Sequence, residues 1–157
     1  MRANERIRDR RIELGLSDVE VARRSGLSIH EYCDAEWHDN ELLAVVNLRN
    51  LKQLCLVLDL DPFDVLEFKC AFCTGSGYLP EYHLPRNEIV RRQRLVKGWS
   101  VKELGDKIGF YEEVIQHIEI DADYLDSWSA NLVKDLAKHL DVPPQVLLGI
   151  KCGRCHR

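Results

Sequence analysis

An internal duplication constrains this chain more than any other feature. Gly15–Glu36, GLSDVEVARRSGLSIHEYCDAE, superimposes on Gly98–Glu119, GWSVKELGDKIGFYEEVIQHIE, at a constant offset of 83 residues. Leu16 then falls on Trp99, Ser17 on Ser100, Glu20 on Glu103, Val21 on Leu104, Gly26 on Gly109, Tyr32 on Ile115 and Glu36 on Glu119. Each stretch reads as two short helices joined by a tight Gly turn. The offset drops to 82 from the fourth helix of each copy onward, as a one-residue length change in the preceding loop would produce. Agreement on both sides of that loop implies two copies of one helical unit, residues 1–73 and 87–157. The linker between them, 74–86, is marked by Gly75, Gly77, Pro80 and Pro85.

Local signals place five helices in each copy. The first copy opens with a helix over Arg2–Leu14, which Gly15 ends. Ser17 and Glu20 have the spacing of a capping box, in which the hydroxyl accepts from the N–H three residues on while the carboxylate reaches back. That spacing predicts a helix over Asp18–Ser25, with Gly26 supplying a positive φ at the turn. The third helix follows the cap Ser28 and runs to Trp37, then comes a loop with an apolar patch, Leu42–Val46. Asn47 caps a fourth helix striped by Leu51, Leu54 and Leu58, and Asp61-Pro62 opens a fifth that reaches Phe68. The second copy repeats this with helices over Asn87–Lys97, after the Ser100/Glu103 capping box, over Tyr111–Ile120 and Ser129–Leu140, and from Pro143-Pro144. The fold class expected is all-α.

Forty-five per cent hydrophobic residues suffices for ordinary globular cores, and no apolar run approaches a membrane span. No signal sequence opens the chain, so a soluble cytoplasmic protein is expected. The net charge of −4 gives poor support for a nucleic-acid binder, although the distribution of charge matters more than its sum.

With the Gly15/Gly98 break, the Ser17/Ser100 cap, the Gly26/Gly109 turn, Glu36/Glu119 at the end of helix 3, and the later stripe (Leu51, Leu54, Leu58, Leu60; Val133, Leu136, Leu140, Val142), each copy resembles the Cro/lambda-repressor, or Xre, family of helix-turn-helix domains. The resemblance implies two tandem five-helix helix-turn-helix domains, paired about a pseudo-twofold axis, and usually DNA binding and transcription regulation. The family's contact residues do not carry over. Where members place a Gln directly after the helix 2 cap, this chain has Asp18 and Val101. Helix 3, expected in the major groove, presents Ile29, His30, Glu31, Cys33 and Asp34 in one copy and Glu112, Glu113, Val114, Gln116 and His117 in the other. Ser28 to Glu41 holds five acidic residues and Phe110 to Asp126 six, with no Lys or Arg in either stretch. Duplex DNA carries about one negative charge per 1.7 Å of axis, and such faces would work against that field. The basic residues lie on the first helices: Arg2, Arg6, Arg8, Arg10 and Arg11, and Arg86, Arg91, Arg92, Arg94 and Lys97. A solvated face partly offset by Glu5, Asp9, Glu13 and Glu88 is preferred there over a basic docking edge.

Two CxxC turns, Cys70/Cys73 and Cys152/Cys155, occupy equivalent places after helix 5, each preceded by Lys. Together they could complete one closed structural zinc site with four cysteine ligands. The 78 intervening residues are a folded repeat, so the zinc would staple the copies and fix their relative orientation. Two CxxC disulfides or redox pairs, and free thiols, are the rivals. His83 and His156 are substitute ligands, Cys55 reads as a buried small residue, and Cys33 as an outer-face thiol with no patterned base.

No nucleotide-binding, nucleophile-elbow or metalloprotease motif is present, so no enzyme is expected. The first functional expectation is a non-catalytic protein-binding module of the antitoxin or immunity type. Acidic helix 3 faces would bind a basic, toxin-like protein through His30, Glu31, Asp34, Glu112, Glu113 and Gln116, with Tyr124 and Trp128 as aromatic anchors. The alternative is a DNA-binding transcriptional regulator.

Overall fold

In the computed structural model, which describes residues 1–70 and 84–153, helix starts follow the predicted caps. Ser17, Ser28 and Asn47 each accept from the backbone N–H three residues on, at 3.2, 3.2 and 2.9 Å. They open α2 (Asp18–Ser25), α3 (Ile29–Trp37) and α5 (Leu48–Val57). Before them lies α1 (Ala3–Glu13), between them α4 (Glu41–Ala44), and after them α6 (Pro62–Val65), capped by Asp61. The later elements are α7 (Arg86–Val96), α8 (Val101–Ile108), α9 (Glu112–Ile120), a 3-10 turn (Tyr124–Ser127), α10 (Ala130–Leu140) and α11 (Pro144–Leu148). No strand occurs among the described residues.

Each element start in the first copy has its counterpart in the second. The shift is 83 residues from α1/α7 through α4 and the 3-10 turn, and 82 from α5/α10 onward. The apolar patch expected as a loop is therefore a helical turn in both copies. It buries Leu42 in one and Leu125 in the other. Gly26 and Gly109, at φ 76° and 79°, end α2 and α8 in the left-handed conformation that glycine adopts without steric cost. The Ser28/Glu31 and Ser100/Glu103 pairs form reciprocal capping boxes. The expected box at Ser17 is only half made: Glu20 turns outward to Arg23 and Arg24, at 3.0 and 2.6 Å.

The described chain forms two compact units. Residues 1–70 and 150–153 belong to one, and residues 84–149 to the other. The end of the second copy is thus part of the first unit, a division the repeat alone does not suggest. The first core gathers Ile7, Val21, Tyr32, Leu48, Leu51, Leu54 and Leu58, and the second Val90, Leu104, Ile115, Ile118, Val133, Leu136 and Leu140.

A duplicated polar clamp joins the first helix of each unit to the third. Arg11 lies 2.7 Å from Glu36 and Arg94 2.5 Å from Glu119. The same guanidinium groups donate to the carbonyls of Leu16 (3.2 Å) and Trp99 (2.7 Å). Asn4 and Asn87 donate to the carbonyls of Glu36 and Glu119, both at 3.3 Å. Arg10 reaches the carbonyl of Leu58 and the carboxylate of Asp59, and Arg86 reaches Asp126 and Asp123. Much of the basic charge on the first helices therefore holds those helices to the rest of their own units. Arg2, Arg91 and Arg92 stay exposed, as a solvated face requires, with Glu88 beside the last two.

Candidate functional surface and cysteine tips

α3 buries one stripe and presents another. Tyr32, Ala35 and Glu36 face inward, while His30, Glu31 and Asp34 lie on the outer face. Glu31 also accepts from the Ser28 N–H at 2.8 Å; that hydrogen bond holds its carboxyl below the usual range. Trp37 stands three residues past Asp34 and seven past His30, on the same face, and is 69% exposed. Cys33 is half-buried, and burial, followed by the charge of Asp18, pushes its thiol above the ordinary value, which keeps it protonated near neutral pH. Cys55 is buried, as expected, and its thiol is pushed up to about 12, chiefly by burial.

α9 has the same division. Ile115 and Ile118 face inward, while Glu112, Glu113, Gln116 and His117 lie on the outer face. Tyr111, at the helix start, is 83% exposed, and Ile120, at its end, is 78% exposed. Ile120 occupies the position equivalent to Trp37, so both outer faces finish in a large exposed apolar side chain. Gln116 and Ile120 line an open concavity of about 210 Å³ with Arg91 and Glu119. Tyr124 is half-buried and stacks on His117 at 5.5 Å, so it does adjoin the predicted face.

Trp128 does not. It is 7% exposed and stacks on Phe110 at 4.6 Å, because the 3-10 turn folds the chain back toward the core. The large side chains exposed on or beside the two outer faces are instead Tyr111 and Ile120 at α9 and Trp37 on α3. Their signal in the sequence was helical spacing from the polar residues of each outer face. Trp99 is half-buried beneath Lys97 and Lys107, whose ammonium groups lie 5.2 and 4.6 Å from the ring centroid.

Intramolecular pairing trims the acidic charge of these faces. Glu36 and Glu119 belong to the clamps, and Asp123 and Asp126 lie against Arg86. The carboxylates left on the outer faces are Glu31 and Asp34 on α3 and Glu112 and Glu113 on α9. No Lys or Arg lies on either helix.

Cys70 and Cys152 are both buried, at 5% and 3% exposure, and both belong to the first unit. Cys73, Cys155, His83 and His156 lie outside the described residues. Among the described residues no three His, Cys, Asp or Glu side chains are grouped to hold a metal. No helix among them is long and apolar enough to cross a membrane. No family model, curated protein or solved structure matches the chain.

Proposed function

We propose that the chain is a non-catalytic protein-binding module built from two repressor-type helix-turn-helix units, and that the outer faces of α3 and α9 engage a basic protein. The functional class is an antitoxin or immunity protein that places carboxylates over a cationic surface, such as the active site of a nuclease-like toxin. One observation carries this reading. The outer faces of both third helices hold carboxylates without a single Lys or Arg, and each ends in an exposed apolar residue, Trp37 or Ile120. A protein interface combines apolar anchors with complementary charge, whereas a duplex demands cations against its phosphates. Support for the helix-turn-helix reading comes from the shared element order, the Ser caps and the left-handed glycines at equivalent turns.

A mobility-shift titration of the full chain on random and promoter DNA, at several salt concentrations, tests the assignment. Weak or absent binding is expected. Nanomolar affinity with a steep salt slope would overturn it in favour of a DNA-binding regulator. In the complementary assay, a basic protein captured by the wild-type chain should be lost on joint Glu112→Lys and Glu113→Lys substitution.

A further inference from the structure

The second unit carries opposite charges on neighbouring helices. On α7, the side chains of Arg91 and Arg92 are 57% and 60% exposed, and both share one carboxylate, Glu88, at 3.9 and 3.1 Å. Two guanidinium groups against one carboxylate leave this stripe net positive. On α9, Glu112 and Glu113 are exposed and form no ion pair among the described residues. The two stripes belong to one surface, because Arg91 lines the open concavity of about 210 Å³ together with Gln116, Glu119 and Ile120. Leu95 lies one helical turn beyond Arg91, and Glu112 and Glu113 lie one turn before Gln116. Leu95 and Ile120 are 55% and 78% exposed, so the charges flank uncovered apolar area.

The first unit has no such pairing of charge. Asp9 stands where the second unit has Arg92, and it lies 3.5 Å from Arg8. Ile29 and His30 stand in the places of Glu112 and Glu113. The equivalent helices form without these charges, so the fold does not require them. A first-turn carboxylate also favours the start of a helix, but that effect does not account for the arginine pair across the seam.

We infer that this surface of α7 and α9 docks a second copy of the chain about a twofold axis. In such a contact each copy presents the same surface, and residue i meets j while j meets i. A surface of one sign repels its own copy. Cations on one helix and anions on the next match themselves after a half-turn. Glu112 and Glu113 of each copy then face Arg91 and Arg92 of the other, at both ends of the contact, and Leu95 and Ile120 are covered between them. Complementary charge fixes the register, and the covered apolar area supplies the attraction. The inference does not rest on a basic partner. It adds that a basic protein on α9 and a second copy would compete for Glu112 and Glu113.

Sedimentation equilibrium of the full chain, from about 1 to about 200 µM and over a salt series, tests the contact. A reversible dimer is expected, weakened at least about tenfold between about 0.05 and about 0.5 M salt. Arg91→Glu with Arg92→Glu, and separately Glu112→Arg with Glu113→Arg, should each weaken self-association more than about tenfold. Mixed in equal amounts, the two variants should pair with each other about as tightly as wild type, since both ends of the twofold contact regain opposite charges. Ile120→Ser should weaken the dimer, and Arg23→Glu on α2 should not. A chain that stays monomeric at about 200 µM, folded variants that fail to associate when mixed, or equal weakening by Arg23→Glu would overturn the surface. Because the concentration and salt series is read on the wild-type chain, it stays decisive if a charge-reversed variant fails to fold. A monomeric chain would leave the mobility-shift and capture assays of the proposed function untouched, as neither needs a dimer.

Discussion

Removing the Glu119 carboxylate should cost the second unit much of its margin of stability. The Glu119 side chain is 11% exposed and that of Arg94 10%, and two N–H···O bonds of 2.5 and 2.9 Å join them. Breaking a buried pair by deleting one member costs about 3–5 kcal/mol, because the survivor is left charged and poorly solvated. Arg94 would keep the Trp99 carbonyl at 2.7 Å, which favours the lower end, about 3 kcal/mol. A unit of this size has roughly 3–10 kcal/mol in total. With a urea slope of about 1 kcal/mol/M, Glu119→Ala should lower the unfolding midpoint by up to about 3 M.

Tryptophan fluorescence of the full chain provides the assay. Trp128 is stacked in the second core and Trp99 half-buried, whereas Trp37 of the first unit is 69% exposed and changes little on unfolding. The companion variant is Arg94→Met with Glu119→Leu. Replacing both charges with apolar side chains of similar size is often neutral, so the double variant should recover most of the lost stability. A cost below about 1 kcal/mol for Glu119→Ala, or a double variant whose losses simply add, would refute the account of the clamp as a coupled buried pair.

Gly105→Ala in α8 should destabilise, although alanine is the better helix former by about 1 kcal/mol. The added Cβ would stand 2.5 Å from the Phe110 carbonyl, and overpacking typically costs about 1–3 kcal/mol, so a lowered melting temperature by calorimetry is the expected sign. The Ser100 N–H, hydrogen-bonded to the Glu103 carboxylate at 2.6 Å, holds that carboxyl below its ordinary value of 4.5. A depressed carboxylate contributes stability above its unfolded value and loses it as pH falls through the folded one. The difference in urea midpoint between wild type and Glu103→Gln should therefore be full at pH 7 and shrink as acid is added from about pH 4.5 downward. A difference that did not vary with pH would show that the charge contributes nothing.

How much of this was legible in the sequence depended on whether the signal was local. Ser17, Ser28, Asn47, Ser100 and Ser129 fixed helix starts, because a cap acts within three residues. α4 and the 3-10 turn were hidden, since four residues are too few for a helical period to show. Trp128 was misplaced for that reason: once Tyr124–Ser127 is read as a loop, nothing returns its ring to Phe110. The clamp escaped for the opposite reason. Asn4/Asn87 and Arg11/Arg94 are identical in the two copies, but their partners lie 32 and 25 residues away and obey no period. Identity at equivalent polar positions was the signal that could have found them. Of the candidate surface, the acidic residues on α3 and α9 were readable from helical spacing, whereas their exposed anchors required knowing which stripe the core takes.

The two closures onto Asp59 and Asp141 indicate why net charge is a weak guide to what this chain binds. These aspartates are equivalent, both take the left-handed conformation, at φ 50° and 54°, and each meets a cation from the first helix of its unit or the residue that ends it. That cation is Arg10 in one unit and Lys97 in the other, which are not equivalent positions. The acceptor has been kept while the donor has moved along the helix. The shared feature is thus the closure of the first helix on the end of the fourth, which fixes a carboxylate and leaves freedom in the cation that reaches it. Arg10 and Lys97 are thereby turned to surface carboxylates, while Asp34, Glu112 and Glu113 on the third helices have no Lys or Arg on their own helix. A modest overall charge of −4 therefore coexists with outer faces on α3 and α9 that carry carboxylates and no Lys or Arg. Arg10, Arg11, Arg86 and Arg94 are thus committed to contacts within their own units, whereas exposed cations such as Arg2, Arg23, Arg91 and Arg92 lie off the third helices.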